Sequence, residues 1–84
     1  MQLRQAELTW HIAGDEVVVL DLQGSLYLKL NGSARVLWER LSTPCDEAEL
    51  TAAILEVYDV SGDRAAEDVA TFLTELRQRD LLED

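Results

Sequence analysis

The chain has 84 residues, 48% of them hydrophobic, and carries 7 basic against 17 acidic side chains for a net charge of −10. A chain of this size buries only about 60–65% of its unfolded surface, enough for one small domain over 1–84 but too little for a deep, enclosed active site. The negative charge repels phosphate backbones and anionic membranes and suits basic or neutral partners. A single cysteine, Cys45, excludes an internal disulfide and any Cys-rich metal site, which fits a reducing cytoplasm. No apolar run is long enough to span a bilayer, and residues 1–5 lack the character of a signal peptide.

Residues 1–6 read as a frayed lead-in. Leu8, Trp10 and Ile12 then alternate with Thr9 and His11, which predicts a first strand over about 7–12. Gly14-Asp15 has the chemistry of a two-residue II′ turn. A second strand over 16–22 follows, where Val17-Val18-Val19-Leu20 is apolar on both faces, as the middle strand of a meander would be. Gly24 marks a tight turn into a third strand over 25–30. There Leu26, Leu28 and Leu30 alternate with Ser25, Tyr27 and Lys29, the pattern of a sheet with one buried face. No later segment reads as a strand, so this one ends its sheet with an edge unpaired by its own chain. An open edge is either protected or used; here it is read as used, to take up an extended peptide.

Beyond Leu30 the period changes from 2 to 3.6. Asn31 is a good N-cap, and Ala34, Leu37, Trp38 and Leu41 recur on one helical face. Ser42-Thr43-Pro44 ends that helix, because proline disfavours helical geometry in the residue before it. Asp46 with Glu49 has the spacing of a capping box, and Leu50, Ala53, Ile54, Val57 and Tyr58 line the second helix. Asp59-Val60-Ser61-Gly62 is a break. Asp63 caps a third helix with a stripe of Ala66, Val69, Phe72 (or Ala70), Leu73 and Leu76, fading at Arg77-Gln78-Arg79-Asp80. Leu81-Leu82 folds back onto the core. Three strands followed by three helices make an α+β fold, a winged-helix-like packing of helices on a three-stranded antiparallel sheet.

Little in this framework suggests catalysis. His11 is a solvated strand position with no ligand cluster around it. Cys45 sits at a helix N-terminus, but no His or Asn is placed to make a nucleophilic pair. Asp46, Glu47 and Glu49 form an acidic first helical turn that complements the helix dipole. No phosphate loop, nucleotide fingerprint or zinc signature is present, so no catalytic residue, metal or cofactor is assigned. DNA binding is excluded by charge: the second helix is acidic, and no Lys or Arg occurs between Leu41 and Arg64. Trp38 is a core residue. Val69, Phe72, Leu73 and Leu76 are either core or the lining of a groove between the third helix and the open strand.

These residues, taken in order, resemble the PqqD-like family, the recognition elements for ribosomally made precursor peptides. The resemblance spans about 16–82. It rests on Val19-Leu20-Asp21-Leu22 and Gly24 before Tyr27, Leu30 and Asn31, on Ala34 with Leu37-Trp38, and on Glu49-Leu50 and Tyr58. Asp68-Val69, Phe72-Leu73, Leu76 and Leu81-Leu82 complete it. The Leu-Asp-Leu-x-Gly-x-Leu-Tyr portion looks closer to the stand-alone B1 proteins of lasso peptide biosynthesis than to PqqD itself. Where the family usually has a glycine before the second helix, this chain has Ser42-Thr43-Pro44-Cys45. The resemblance implies a non-catalytic module that binds a leader peptide as an added antiparallel strand on Ser25, Leu26, Tyr27, Leu28, Lys29 and Leu30. Asp68, Val69, Phe72, Leu73 and Leu76 would supply the helical side of the site. It also implies a Tyr-x-x-Pro leader, which the acidic third helix (Glu67, Asp68, Glu75) would favour as Lys-rich, and delivery to a leader peptidase, B2, and a cyclase. The alternatives are a PqqD proper, serving a radical SAM enzyme in pyrroloquinoline quinone assembly, and a structural domain pairing with itself through its sheet edge.

Overall fold

The computed structural model describes residues 1–83. Its elements run β1 (Gln2–Leu3), β2 (Leu8–Ala13), β3 (Glu16–Asp21), β4 (Leu26–Leu30), α1 (Gly32–Arg40), α2 (Glu47–Val57), α3 (Gly62–Gln78) and β5 (Leu82–Glu83). The antiparallel sheet has the order β2-β3-β4, which places β3 in the middle. Ala13 pairs with Glu16 across a two-residue turn in which Gly14 takes φ +67°, the left-handed geometry a II′ turn requires at that position. Along β3, Val17, Val19 and Asp21 point into the core and are buried, while Leu20 on the other face is exposed.

Gly24 lies in the β3–β4 turn, as the sequence indicates. The left-handed residue is Ser25, at φ +53°, so the strand begins at Leu26 and Ser25 belongs to the turn. What Gly24 supplies is room: a Cβ there would lie 2.6 Å from Oδ2 of Asp21.

The helices start close to where their capping residues place them. Asn31 precedes α1 without a side-chain hydrogen bond, whereas Asp46 and Glu49 form the full capping box, with Glu49 N–H donating to Asp46 Oδ1 at 2.8 Å. The cap of α3 is Ser61, not Asp63: its Oγ accepts from Arg64 N–H at 3.1 Å, and Asp63 sits in the first turn. The buried stripe is accordingly Ala65, Val69, Leu73 and Leu76, with Ala66 and Ala70 exposed. In α2, Leu50 and Ile54 are buried but Val57, expected on the same face, is 59% exposed at the helix end. Helix α3 ends in a Schellman motif, Leu81 N–H reaching Leu76 O and Asp80 N–H reaching Arg77 O, with Asp80 at φ +58°.

The lead-in is not frayed. Gln2–Leu3 pairs antiparallel with Leu82–Glu83, Leu3 is 2% exposed, and Cys45 N–H donates to Met1 O at 2.9 Å. Two residues carry no periodicity, and their partners lie at the far end of the chain, so nothing local announces the pairing. The core joins Val17 and Val19 of the sheet to Leu37, Trp38, Leu41, Leu50, Ile54, Val69, Leu73 and Leu81. Each such side chain contributes roughly 1.5–3 kcal/mol by leaving water. Trp10 meets Trp38 edge-to-face at 6.3 Å, an 87° arrangement that fixes β2 over α1.

Candidate functional site

Among the described residues β4 pairs only with β3, so alternate residues along its outer side direct their N–H and C=O groups away from the sheet. Its core-facing side chains differ from those directly opposite them. Val19 and Val17 are fully buried, but their cross-strand partners Leu28 and Leu30 are only half-buried, as is Leu26. Helical cover runs out at this border, and a row of leucines is left partly wet. On the other face, Tyr27 is 56% exposed and Lys29 is in solvent. The opposite edge, β2, is also unpaired among the described residues. Cavities lie near both ends of β4.

At the helical end, starting three residues past Leu30, a cavity of about 280 Å³ opens between Ser33, Ala34 and Leu37 of α1 and Arg64, Asp68, Phe72 and Glu75 of α3. At the turn end, a cavity of about 230 Å³ is walled by Leu20, Leu22, Leu26 and Tyr27. Of the five α3 residues expected to line the site, Asp68 and Phe72 are the partly exposed ones. Val69, Leu73 and Leu76 lie on the buried stripe of α3 and belong to the core, while Phe72, set off that stripe, is half-buried and reachable. Asp68, also half-buried, is held by Arg64 at 3.2 Å, so at this cavity Glu75 is the acid with no basic partner among the described residues.

The turn into β4 is held by a residue that the sequence reading named only within the Val19-Leu20-Asp21-Leu22 segment, without a role. Asp21 is 3% exposed, accepts from Gln23 N–H at 3.1 Å, and is paired with the Arg4 guanidinium. Arg4 also donates to Asp80 O at 2.6 Å, tying the β3–β4 turn to the end of α3. Burial pushes the Asp21 carboxyl up, but hydrogen bonds from Gly24, Arg4 and Gln23, with the Arg4 charge, outweigh it and hold the group below its ordinary value. The signal was in the sequence: the period-2 count that buries Val17 and Val19 also buries Asp21, and a buried carboxylate needs a cation.

Cys45 is 6% exposed, and burial followed by the charge of Glu49 pushes its thiol up, away from the nucleophilic thiolate. His11 is exposed on β2. Among the described residues no group of three or more His, Cys, Asp and Glu side chains is arranged to hold a metal ion, and no helix is long and apolar enough to cross a membrane.

Residues 16–82 match the family described as coenzyme PQQ synthesis protein D (PqqD). No curated protein matches the chain. Among solved structures, TbiB1 in complex with the TbiA(beta) leader peptide superposes with a TM-score of 0.89 at 29% identity, over 99% of this chain and 95% of that one. A lasso peptide synthetase B1 complexed with the leader peptide gives a TM-score of 0.83 at 24% identity over 99% of this chain and 96% of that one, a likeness of fold.

Proposed function

This chain belongs to the PqqD family, and from that premise we propose that it is a recognition protein without chemistry of its own, binding the leader segment of a lasso-type precursor peptide. The leader adds to β4 as an antiparallel strand. Its backbone pairs with the outer side of Leu26–Leu30, and alternate side chains fill the border between sheet and helices. The observation that carries this reading is the contrast between buried Val17 and Val19 and their half-buried partners Leu30 and Leu28, along a strand with no neighbour on its outer side among the described residues. The likeness to a B1 protein bound to a leader peptide supports it.

Backbone pairing carries little sequence information, so discrimination falls to Phe72 with Leu26, Leu28 and Leu30, and an aromatic ring of a Tyr-x-x-Pro leader suits the slot beside Phe72. Glu75 and the exposed Glu67 favour a leader carrying Lys. The bound precursor then passes to a leader peptidase, B2, and a cyclase, for which the chain raises the local substrate concentration in the cytoplasm. Ordering a flexible leader costs several kcal/mol, offset by these contacts. The family's description favours a second reading, in which the guest is the peptide of pyrroloquinoline quinone assembly and the recipient a radical SAM enzyme.

The test is titration with the leader of the precursor encoded beside this chain. Amide shifts should concentrate along 25–30, and N-methylation of alternate leader residues should abolish binding. Shifts confined to β2 would move the site to the other edge.

A further inference from the structure

We propose that the apolar patch at the β3–β4 turn is the docking surface for the protein that acts on the bound precursor, and that this partner presents an apolar loop inside a basic rim. The proposal rests on the reading of β4 as the leader-binding strand. Leu20, Leu22 and Tyr27 are 41%, 64% and 56% exposed and surround the turn cavity together. So many large apolar side chains exposed at one place mark an interaction surface.

The patch is firmly held. Leu22 N–H donates to Glu7 O at 2.9 Å, and the turn beneath is anchored by Asp21 to Arg4. Leu20 and Tyr27 face each other across the ladder on the side away from the helices, so the patch stays open while the Phe72 side is filled.

Strand direction gives the patch its role. A guest antiparallel to β4 enters at Leu30 and leaves at Leu26, so the chain that follows a leader emerges beside this cavity. A partner that acts on that continuation must reach this end. Charge selects its chemistry: at −10, a second copy of this chain is repelled, whereas a basic rim is attracted. Glu7, bonded to Leu22 through its carbonyl, lies at the margin.

Leu20→Thr and Leu22→Ser variants, with the fluorescent leader peptide and the leader peptidase encoded beside the chain as probes, test this. Leader affinity should stay within about twofold, while stimulation of precursor cleavage falls about tenfold. Stimulation by the unmutated chain should also weaken as salt rises. Unchanged cleavage overturns the proposal. A parallel loss of leader affinity overturns it too, assigning the cavity to the peptide, and a dimer that the variants dissolve assigns it to a second copy. Failure of the unmutated chain to bind the leader strikes the parent reading instead.

Discussion

The guanidinium of Arg4 closes on the carboxylate of Asp21 directly beneath the turn from which β4 departs. The two come from segments that share no secondary structure, and Arg4 adds a bond to the end of α3. One side chain thus braces the proposed site strand against the helical layer.

Removing one partner of a buried pair leaves the other uncompensated. Arg4→Met should therefore destabilise the chain by about 3 kcal/mol. Urea denaturation measures it; a loss under about 1 kcal/mol would mean the pair is more solvated than its burial indicates. Gly24→Ala should be costly through the same carboxylate, and that cost should shrink in an Asp21→Ala background, where Oδ2 no longer blocks the new methyl.

Acid should act through Asp21. Its folded pKa is held below the ordinary carboxylate value of 3.8, so the folded state binds that proton less readily than the unfolded chain. The stabilisation is complete above the unfolded pKa and is lost as pH falls below it through the folded one. Comparing the parent with Asp21→Asn from pH 6 down to about pH 2, the difference in stability should be largest at the upper end and narrow toward the lower.

Asp80 holds a left-handed conformation that glycine adopts without a Cβ penalty, and Arg4 uses only its carbonyl. Asp80→Gly should raise stability by about 0.5–1 kcal/mol, a rise in Tm of roughly 2–8 °C for a domain of this size. A fall in Tm would assign the Asp80 carboxylate a contact of its own.

Phe72 and Leu73 are neighbours with opposite expected behaviour. Leu73 is fully buried, and Leu73→Ala should cost about 2–5 kcal/mol of stability. Phe72→Ala should leave the fold intact and weaken leader binding at least about tenfold, or ~1.4 kcal/mol. Calorimetric titration and thermal melts on both variants separate the two roles, and unchanged affinity in Phe72→Ala would take α3 out of the site.

Sequence alone determined the order of sheet and helices, the centrality of β3, the open edge at β4 and the family, because each is written in local periodicity or in spacing along the chain. Alternation at Leu26, Leu28 and Leu30 fixes a face whatever covers it. The tertiary structure decided the rest. The pairing of Gln2–Leu3 with Leu82–Glu83 joins the ends of the chain through two-residue strands too short to carry a period. Which residues of α3 face outward was also beyond the sequence, since a stripe tells which side of a helix is apolar but not where the neighbouring layer stops. Only packing shows that Leu73 is enclosed while Phe72 stands at the rim, because exposure at a border depends on what the rest of the chain leaves uncovered.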